Sequence, residues 1–352
     1  MMHISEGAGH RIGVTTRWRI QGNMAKRTER NGVARYEEDA TQFALDPVLT
    51  AAWLYYEEGL KQDEIAARFG ISRATVFNLL QKARDEGAVS VSIDVARIGA
   101  LRLAQRLSQA TGVAECYIVP AIGNERPVTE RIGGLGARVL ERRITPESVL
   151  GVAWGRTVMV LSQTLASLHL PGTTIAQITG SAIGTYDFSP ELCTSNIAVK
   201  VGGRCVNMLA PGIVSSADVK RLLMAEPIVA QHFALLRGCD ISLFGVTDLG
   251  EGTSLMHSGF MTEPTLADYR AHGAVGFVSG YFFDKEGRPV LTDLDARHLS
   301  MPREDFLAVP TRICVGGGPS KIAAIAAMLR GGYANVLVTD ETTARAVLAT
   351  FG

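Results

Sequence analysis

From Cys116 onward, short apolar runs recur, spaced by amphipathic helical patterns and glycine turns: Cys116 to Val119, Val149 to Ala153, Thr174 to Ile178, Ile241 to Val246, Ala274 to Val278, Arg312 to Val315 and Val336 to Val338. Runs this short and this uniformly apolar read as strands covered on both faces. Parallel neighbours need a long crossover between them, and the intervening helical patterns provide it. The alternation therefore predicts an α/β fold with a doubly wound, mostly parallel sheet over residues 114–352. A chain of 352 residues exceeds what one ordinary core organises, so a smaller domain is expected ahead of it.

That smaller domain is legible from Leu45. Val48, Leu49, Ala52, Trp53, Tyr56 and Leu60 follow helical spacing, and Gly59 supplies a stop. Gln62 to Phe69 gives a second helix with Ile65, Ala66 and Phe69 inward, and Gly70-Ile71-Ser72 makes a tight turn. A third helix runs from Arg73 to about Glu86 on the stripe Val76, Leu79, Leu80 and Ala83, ending at Gly87. Val89, Val91 and Ile93 alternate as a wing strand would. These features define a winged helix-turn-helix domain over 44–95. Leu101, Leu103, Ala104, Leu107 and Ala110 then predict a linker helix over 96–113, ending at Gly112.

The second and third helices carry a DNA-reading pattern. Ala66 is small where two helices cross, Gly70 permits the turn, and Ile71, Val76 and Leu79 fill the shared core. Gln62, Ser72, Arg73, Thr75, Asn78 and Lys82 are the candidates for contact with base edges and phosphates in a major groove. Lys+Arg and Asp+Glu each number 35, so no whole-chain charge advertises nucleic acid. Asp63, Glu64, Asp85 and Glu86 leave this domain without cationic excess, so each copy should bind modestly and a homo-oligomer is expected on operator DNA. Residues 1–43 are polar, lack an apolar period and carry Arg11, Arg17, Arg19, Lys26, Arg27, Arg30 and Arg35. They are expected to form a flexible basic arm, and Met24 is a second candidate start.

The five cysteines (Cys116, Cys193, Cys205, Cys239 and Cys314) are widely spaced without a C-x-x-C pair, which points to reduced thiols rather than a disulfide framework or zinc site. No metal or other cofactor is expected. An apolar leader is absent from the first two dozen residues, and no run of about 18 apolar residues occurs, so a cytoplasmic location away from membrane is expected.

Two strand-turn-helix segments in the large domain suit an anion. In one, the strand Ile313 to Val315 ends in Gly316, Gly317 and Gly318, with Ser320 and Lys321 in the first turn of the next helix. The spacing is not that of a Walker A loop. In the other, Leu150 to Ala153 leads through Gly155 to the donors Arg156 and Thr157. Thr179, Gly180 and Ser181 form a candidate third wall, and Asp248, Glu251 and Ser254 are weaker candidates for hydroxyl recognition. Neighbouring strands would bring such turns into one crevice at their carboxyl ends. The seven histidines show no motif that places one beside a base or metal partner, so no catalytic residue is assigned.

From about residue 46 to the C-terminus, the order of motifs resembles the SorC family of sugar-responsive transcription regulators. The helix-turn-helix carries the resemblance together with Gly151 to Thr157, Gly273 to Gly276, Phe282 to Pro289, Gly316 to Lys321 and Asn335 to Glu341. It implies an effector domain like the ribose-phosphate isomerase, glucosamine-phosphate deaminase and CoA-transferase folds, a tetramer on operator DNA, and a phosphorylated sugar or polyol signal. It also implies that Lys321 and the amides of Gly316 to Gly318 hold the phosphate, assisted by Gly155, Arg156 and Thr157. Relatives often carry an acidic residue after the Gly-Ala-Val-Gly segment, where this chain has Phe277. The alternative is a sugar-phosphate isomerase or deaminase joined to a DNA-binding module, since the fold is shared with such enzymes.

Overall fold

The computed structural model describes residue 43 and residues 45–89, 95–121, 126–182 and 187–352. The chain divides into two compact units, Met1–Asp94 and Val95–Gly352.

In the first unit, α1 (Pro47–Tyr56), α2 (Gln62–Phe69) and α3 (Arg73–Asp85) enclose one apolar cluster. Asp46 starts α1 by accepting the Leu49 N–H at 2.9 Å, with Pro47 at the first helical position. Gly70 ends α2 at φ 65°, in the left-handed region where a Cβ would be penalised. Ser72 starts α3, its Oγ accepting the Thr75 N–H at 3.0 Å. Ile65, Val76, Leu80 and Ala83 are buried between the helices, while Phe69 and Leu79 lie half-buried at the margin. Arg84 ties α3 to α1 by donating to the Tyr56 hydroxyl at 2.7 Å. Phe43, at the end of the expected arm, stacks on Phe69 with ring centroids 4.1 Å apart. The rest of the arm, and Val91 and Ile93 of the expected wing, lie outside the described residues.

The second unit opens with α4 (Val95–Thr111), whose Leu103, Ala104 and Leu107 join the large core. The helix expected as a linker is thus part of this unit and packs on its sheet. There follow β1 (Glu115–Val119), α5 (Val128–Glu141), β2 (Val149–Val152), α6 (Arg156–Thr164), β3 (Thr174–Gln177), α7 (Pro190–Val201), β4 (Arg204–Val206), α8 (Ala217–Ala225), α9 (Pro227–Leu236) and β5 (Ile241–Phe244). Next come β6 (Thr247–Asp248), α10 (Ser254–His257), α11 (Glu263–Ala271), β7 (Gly276–Val278), β8 (Tyr281–Phe283), α12 (Arg303–Ala308) and β9 (Thr311–Val315). A 3-10 turn (Pro319–Lys321), α13 (Ile322–Arg330), β10 (Val336–Asp340) and α14 (Glu341–Ala349) complete it.

Seven strands form one sheet in the order β1-β10-β9-β5-β2-β3-β4, every pair parallel. Alternation along each strand splits its side chains between two apolar clusters, one on each face. Ile313, Val315, Val336 and Val338 belong to one, and Cys314 and Leu337 to the other. Residues 274–278, expected among the parallel strands, instead supply β7 of a separate three-stranded antiparallel sheet, β6-β7-β8. The two-residue connection from β7 to β8 permits a hairpin and excludes a parallel crossover. In the main sheet, β3 and β4 run outward from one side of β2, while β5, β9 and β10 lie on its other side. The strand order therefore reverses between β2 and β5, where an open α/β sheet leaves a crevice at its carboxyl edge.

Candidate functional site

A cavity of about 170 Å³ occupies that crevice. Trp154 to Val158 wall it after β2, Gly245 to Asp248 after β5, and Val315, Ser320 and Lys321 on the β9 side. β2 and β9 are not neighbours. β5 lies between them, and its carboxyl end with the following Thr247 and Asp248 forms the floor that joins the two turns. The volume suits a small metabolite, below the range of drug-sized sites.

One end of the crevice is cationic. Gly155 precedes α6 at φ 137°, and Arg156 and Thr157 occupy the helix's first positions, whose amides have no partner within the helix. The Arg156 guanidinium lies 5.7 Å from the Phe188 ring centroid. Lys321 reaches the same crevice from the 3-10 turn. Burial lowers its pKa from the ordinary lysine value; Cys314 and Asp248 oppose the shift, and Arg156 adds to it. A lysine crowded by burial and by a second cation is a ready site for an anion, which relieves the repulsion.

Acidic and hydroxyl groups line the crevice beside these cations. Asp248 accepts from the Ser320 hydroxyl at 2.9 Å and from the Gly250 N–H at 2.9 Å. Glu251, Thr253 and Ser254 also line the crevice, and Ser254 Oγ lies 3.3 Å from Thr247 Oγ1. Carboxylates and hydroxyls in this arrangement suit the hydroxyl groups of a ligand whose charged end faces Lys321.

The glycine turn has a different part from the one the resemblance implies. Gly316 donates its N–H to the Val338 carbonyl at 3.1 Å, and Gly318 donates to Asp340 Oδ2 at 3.1 Å and Thr343 Oγ1 at 2.8 Å. These two amides are spent on β10 and α14, and none of Gly316, Gly317 and Gly318 lines the cavity. Gly317 lies so close to the Asp340 carboxylate and Ile132 that a Cβ would collide with both. The turn thus shapes the path that delivers Ser320 and Lys321. Gly180 and Ser181 also stand outside the lining: Gly180 packs on the Pro211 and Gly212 backbone, and Ser181 donates to Glu191. Phe277 is buried among aromatic rings, 4.8 Å from Phe282. Trp154 and Thr253 were not singled out from sequence. Trp154 sits inside the Gly151 to Thr157 segment, whereas Thr253 gives no signal beyond its polar loop.

In the helical unit, Ser72, Arg73, Thr75, Asn78 and Lys82 are all exposed on α3, and Gln62 is half-exposed at the start of α2. Ser72 and Thr75 share a hydroxyl hydrogen bond of 2.8 Å. Arg73 lies 3.5 Å from Asp63 and Lys82 3.6 Å from Glu86, all four side chains being more than half exposed. Such pairs are weak and exchange readily for a phosphate.

Residues 95–349 match the family described as "Putative sugar-binding domain". Over 321 residues, the chain is 35% identical to the uncharacterized transcriptional regulator YjhU of Escherichia coli K12, covering 90% of this chain and 98% of the relative. The chain belongs to the SorC/DeoR family of sugar-binding transcriptional regulators. Another relative, the transcriptional regulator LsrR of Enterobacter sp. strain 638, is 32% identical over 94% of this chain and 98% of its own. Residues 53–86 match the family of sigma-70 region 4, which covers the helix-turn-helix. The fold of the family is seen in the full-length sorbitol operon regulator SorC of Klebsiella pneumoniae, with a TM-score of 0.68 at 24% identity over 86% of this chain and 98% of that one. Among the described residues, no group of three or more His, Cys, Asp or Glu is placed to hold a metal, and no helix is long and apolar enough to cross a membrane.

Proposed function

We propose that this regulator controls a carbohydrate or polyol catabolic operon and that a phosphorylated sugar or polyol in the crevice switches its affinity for operator DNA. The observation that carries this reading is the pairing, in one crevice, of the half-buried Lys321 and the Arg156-Thr157 helix start with the carboxylates of Asp248 and Glu251. A phosphate takes the cationic end and sugar hydroxyls meet these carboxylates. The parallel sheet with its ligand crevice at the carboxyl edge supports kinship with the ribose-phosphate isomerase, glucosamine-phosphate deaminase and CoA-transferase folds. The protein acts as a homo-oligomer, a tetramer, in the cytoplasm. The α3 face with Arg73, Asn78 and Lys82 reads DNA, and a ligand that favours one arrangement of subunits shifts operator affinity through a coupling of about 1–3 kcal/mol.

A thermal-shift screen of phosphorylated and unphosphorylated sugars and polyols tests the ligand class, since a compound that prefers the folded state raises Tm. Stabilisation by phosphorylated compounds alone is expected; stabilisation by free polyols alone overturns the phosphate assignment. Operator affinity measured with and without the hit then tests the switch, and an unchanged affinity overturns it.

A further inference from the structure

The effector crevice has a side chamber. It measures about 10 Å³ and shares Trp154, Gly245 and Thr247 with the crevice, its remaining walls being Ala153, Phe277 and Ser279. That is room for one water-sized group. No charged residue lines it, and neither Lys321 nor Arg156 reaches it.

Ser279 is its unusual member. It stands in the two-residue turn between β7 and β8 at φ 46°, with Gly280 following at φ 102°. Such a turn is ordinarily solvated and built from Asn and Gly. Here Ser279 is 4% exposed. Its carbonyl accepts from Ser300 Oγ at 2.6 Å, but its own hydroxyl is buried without a hydrogen-bond partner. A buried hydroxyl left unpaired is unfavourable, and its place in a cavity wall marks where a partner belongs.

Ser279 follows β7 directly and shares the chamber wall with Phe277. Val278 between them joins the apolar cluster of the other face. A wall without charged residues suits one neutral polar atom and excludes a charge.

We propose that the Ser279 hydroxyl binds a single neutral oxygen, hydroxyl or carbonyl, at the end of the effector remote from its phosphate. This rests on the phosphate reading of the crevice and narrows it. The effector is then a short phosphorylated compound whose far end carries a neutral oxygen.

The test compares alkyl phosphates of three to five carbons with and without a terminal hydroxyl, together with inorganic phosphate, by calorimetric titration of wild type and Ser279→Gly. Glycine adopts the positive φ without strain, so this variant keeps the turn, and its ligand-free Tm should equal or exceed that of wild type. Wild type should prefer the hydroxylated compound about tenfold at one chain length, and Ser279→Gly should bring that ratio to within about twofold while binding inorganic phosphate unchanged. A wild-type ratio near one at every length, or a ratio that survives Ser279→Gly, overturns the proposal. If inorganic phosphate and every alkyl phosphate fail to bind wild type, the phosphate reading falls by itself. The same ratio for unphosphorylated diols and alcohols then decides Ser279, and a ratio near one, or no binding, overturns it.

Discussion

Ser320 Oγ donates to Asp248 Oδ2 at 2.9 Å, joining the turn after β9 to the strand that follows β5. The bond is exposed, so Ser320→Ala should cost only about 0.5 kcal/mol of ligand-free stability. Asp248→Ala also releases the Gly250 N–H and should cost about 1–2 kcal/mol. Urea denaturation of the two variants checks the order, and an equal loss would mean that the Gly250 bond contributes nothing.

Lys321→Ala should weaken binding of a phosphorylated effector by about 10- to 100-fold, the worth of a charge-assisted hydrogen bond, while ligand-free operator binding persists. The pH dependence has a definite sign. Burial holds the Lys321 pKa below that of a free lysine, so its positive charge, and with it effector affinity, should fade at lower pH than for an exposed lysine. Arg156 contributes to the depression, so Arg156→Gln should move the alkaline loss upward in pH even as it weakens binding. Titration calorimetry from pH 7 to 10 reads both effects.

Gly317→Ala should destabilise the second unit by about 1–3 kcal/mol, because a Cβ there meets Ile132 Cδ1 at 2.7 Å and crowds the Asp340 carboxylate. Asp340 also holds the Gly318 and Thr343 amides, so the strain enters a fully used network. Chemical denaturation measures it, and a neutral result would show that the turn can retreat from β10.

His298 is fully enclosed, and burial, aided by the charge of Lys220, lowers its pKa to about 3. The unfolded chain binds this proton near pH 6.5 and the folded chain does not. Stability from this group is therefore complete above pH 6.5 and is lost as pH falls towards 3, with a slope approaching about 1.4 kcal/mol per pH unit. His298→Gln should flatten the acid limb of the stability profile by about one proton. An unaltered slope would show that His298 is protonated in the fold.

Arg73→Ala should lower operator affinity and reduce the slope of log affinity against log salt by about one, provided Arg73 touches a phosphate. Loss of its 3.5 Å ion pair with Asp63 should not disturb folding, both side chains being well exposed. A salt slope equal to that of wild type would remove Arg73 from the DNA contacts.

The helices of the first unit were legible because their signals are local: Gly70 and Ser72 fix the turn between α2 and α3, and the apolar spacing fixes the inward faces. Lys321, Arg156 and Thr157 were legible for a related reason, since a strand that ends in glycine before a helix places the next residues at a sheet edge. What β10 does to Gly318 was not legible. It depends on β10 lying beside β9, a register that no local pattern encodes. The strands β4 and β8 span three residues each, too few to show a period, and 274–278 read as one more buried strand because burial on both faces looks the same in either kind of sheet. Gly180 and Ser181 show the limit of reading a polar turn as a wall, because the chain that covers them arrives from residues 211–212 and from Glu191.

Strand β1 has its sheet partner at the far end of the chain, Glu115 pairing with Val336 and Val119 with Asp340. As the protein leaves the ribosome, the three helices of the first unit complete their contacts within a few dozen residues, but β1 waits for nearly the whole chain to be made. The DNA-reading unit is thus born before its sensor. Until β10 is made, β1 and β9 lack the strand that pairs with both, and the seven-stranded sheet stays incomplete.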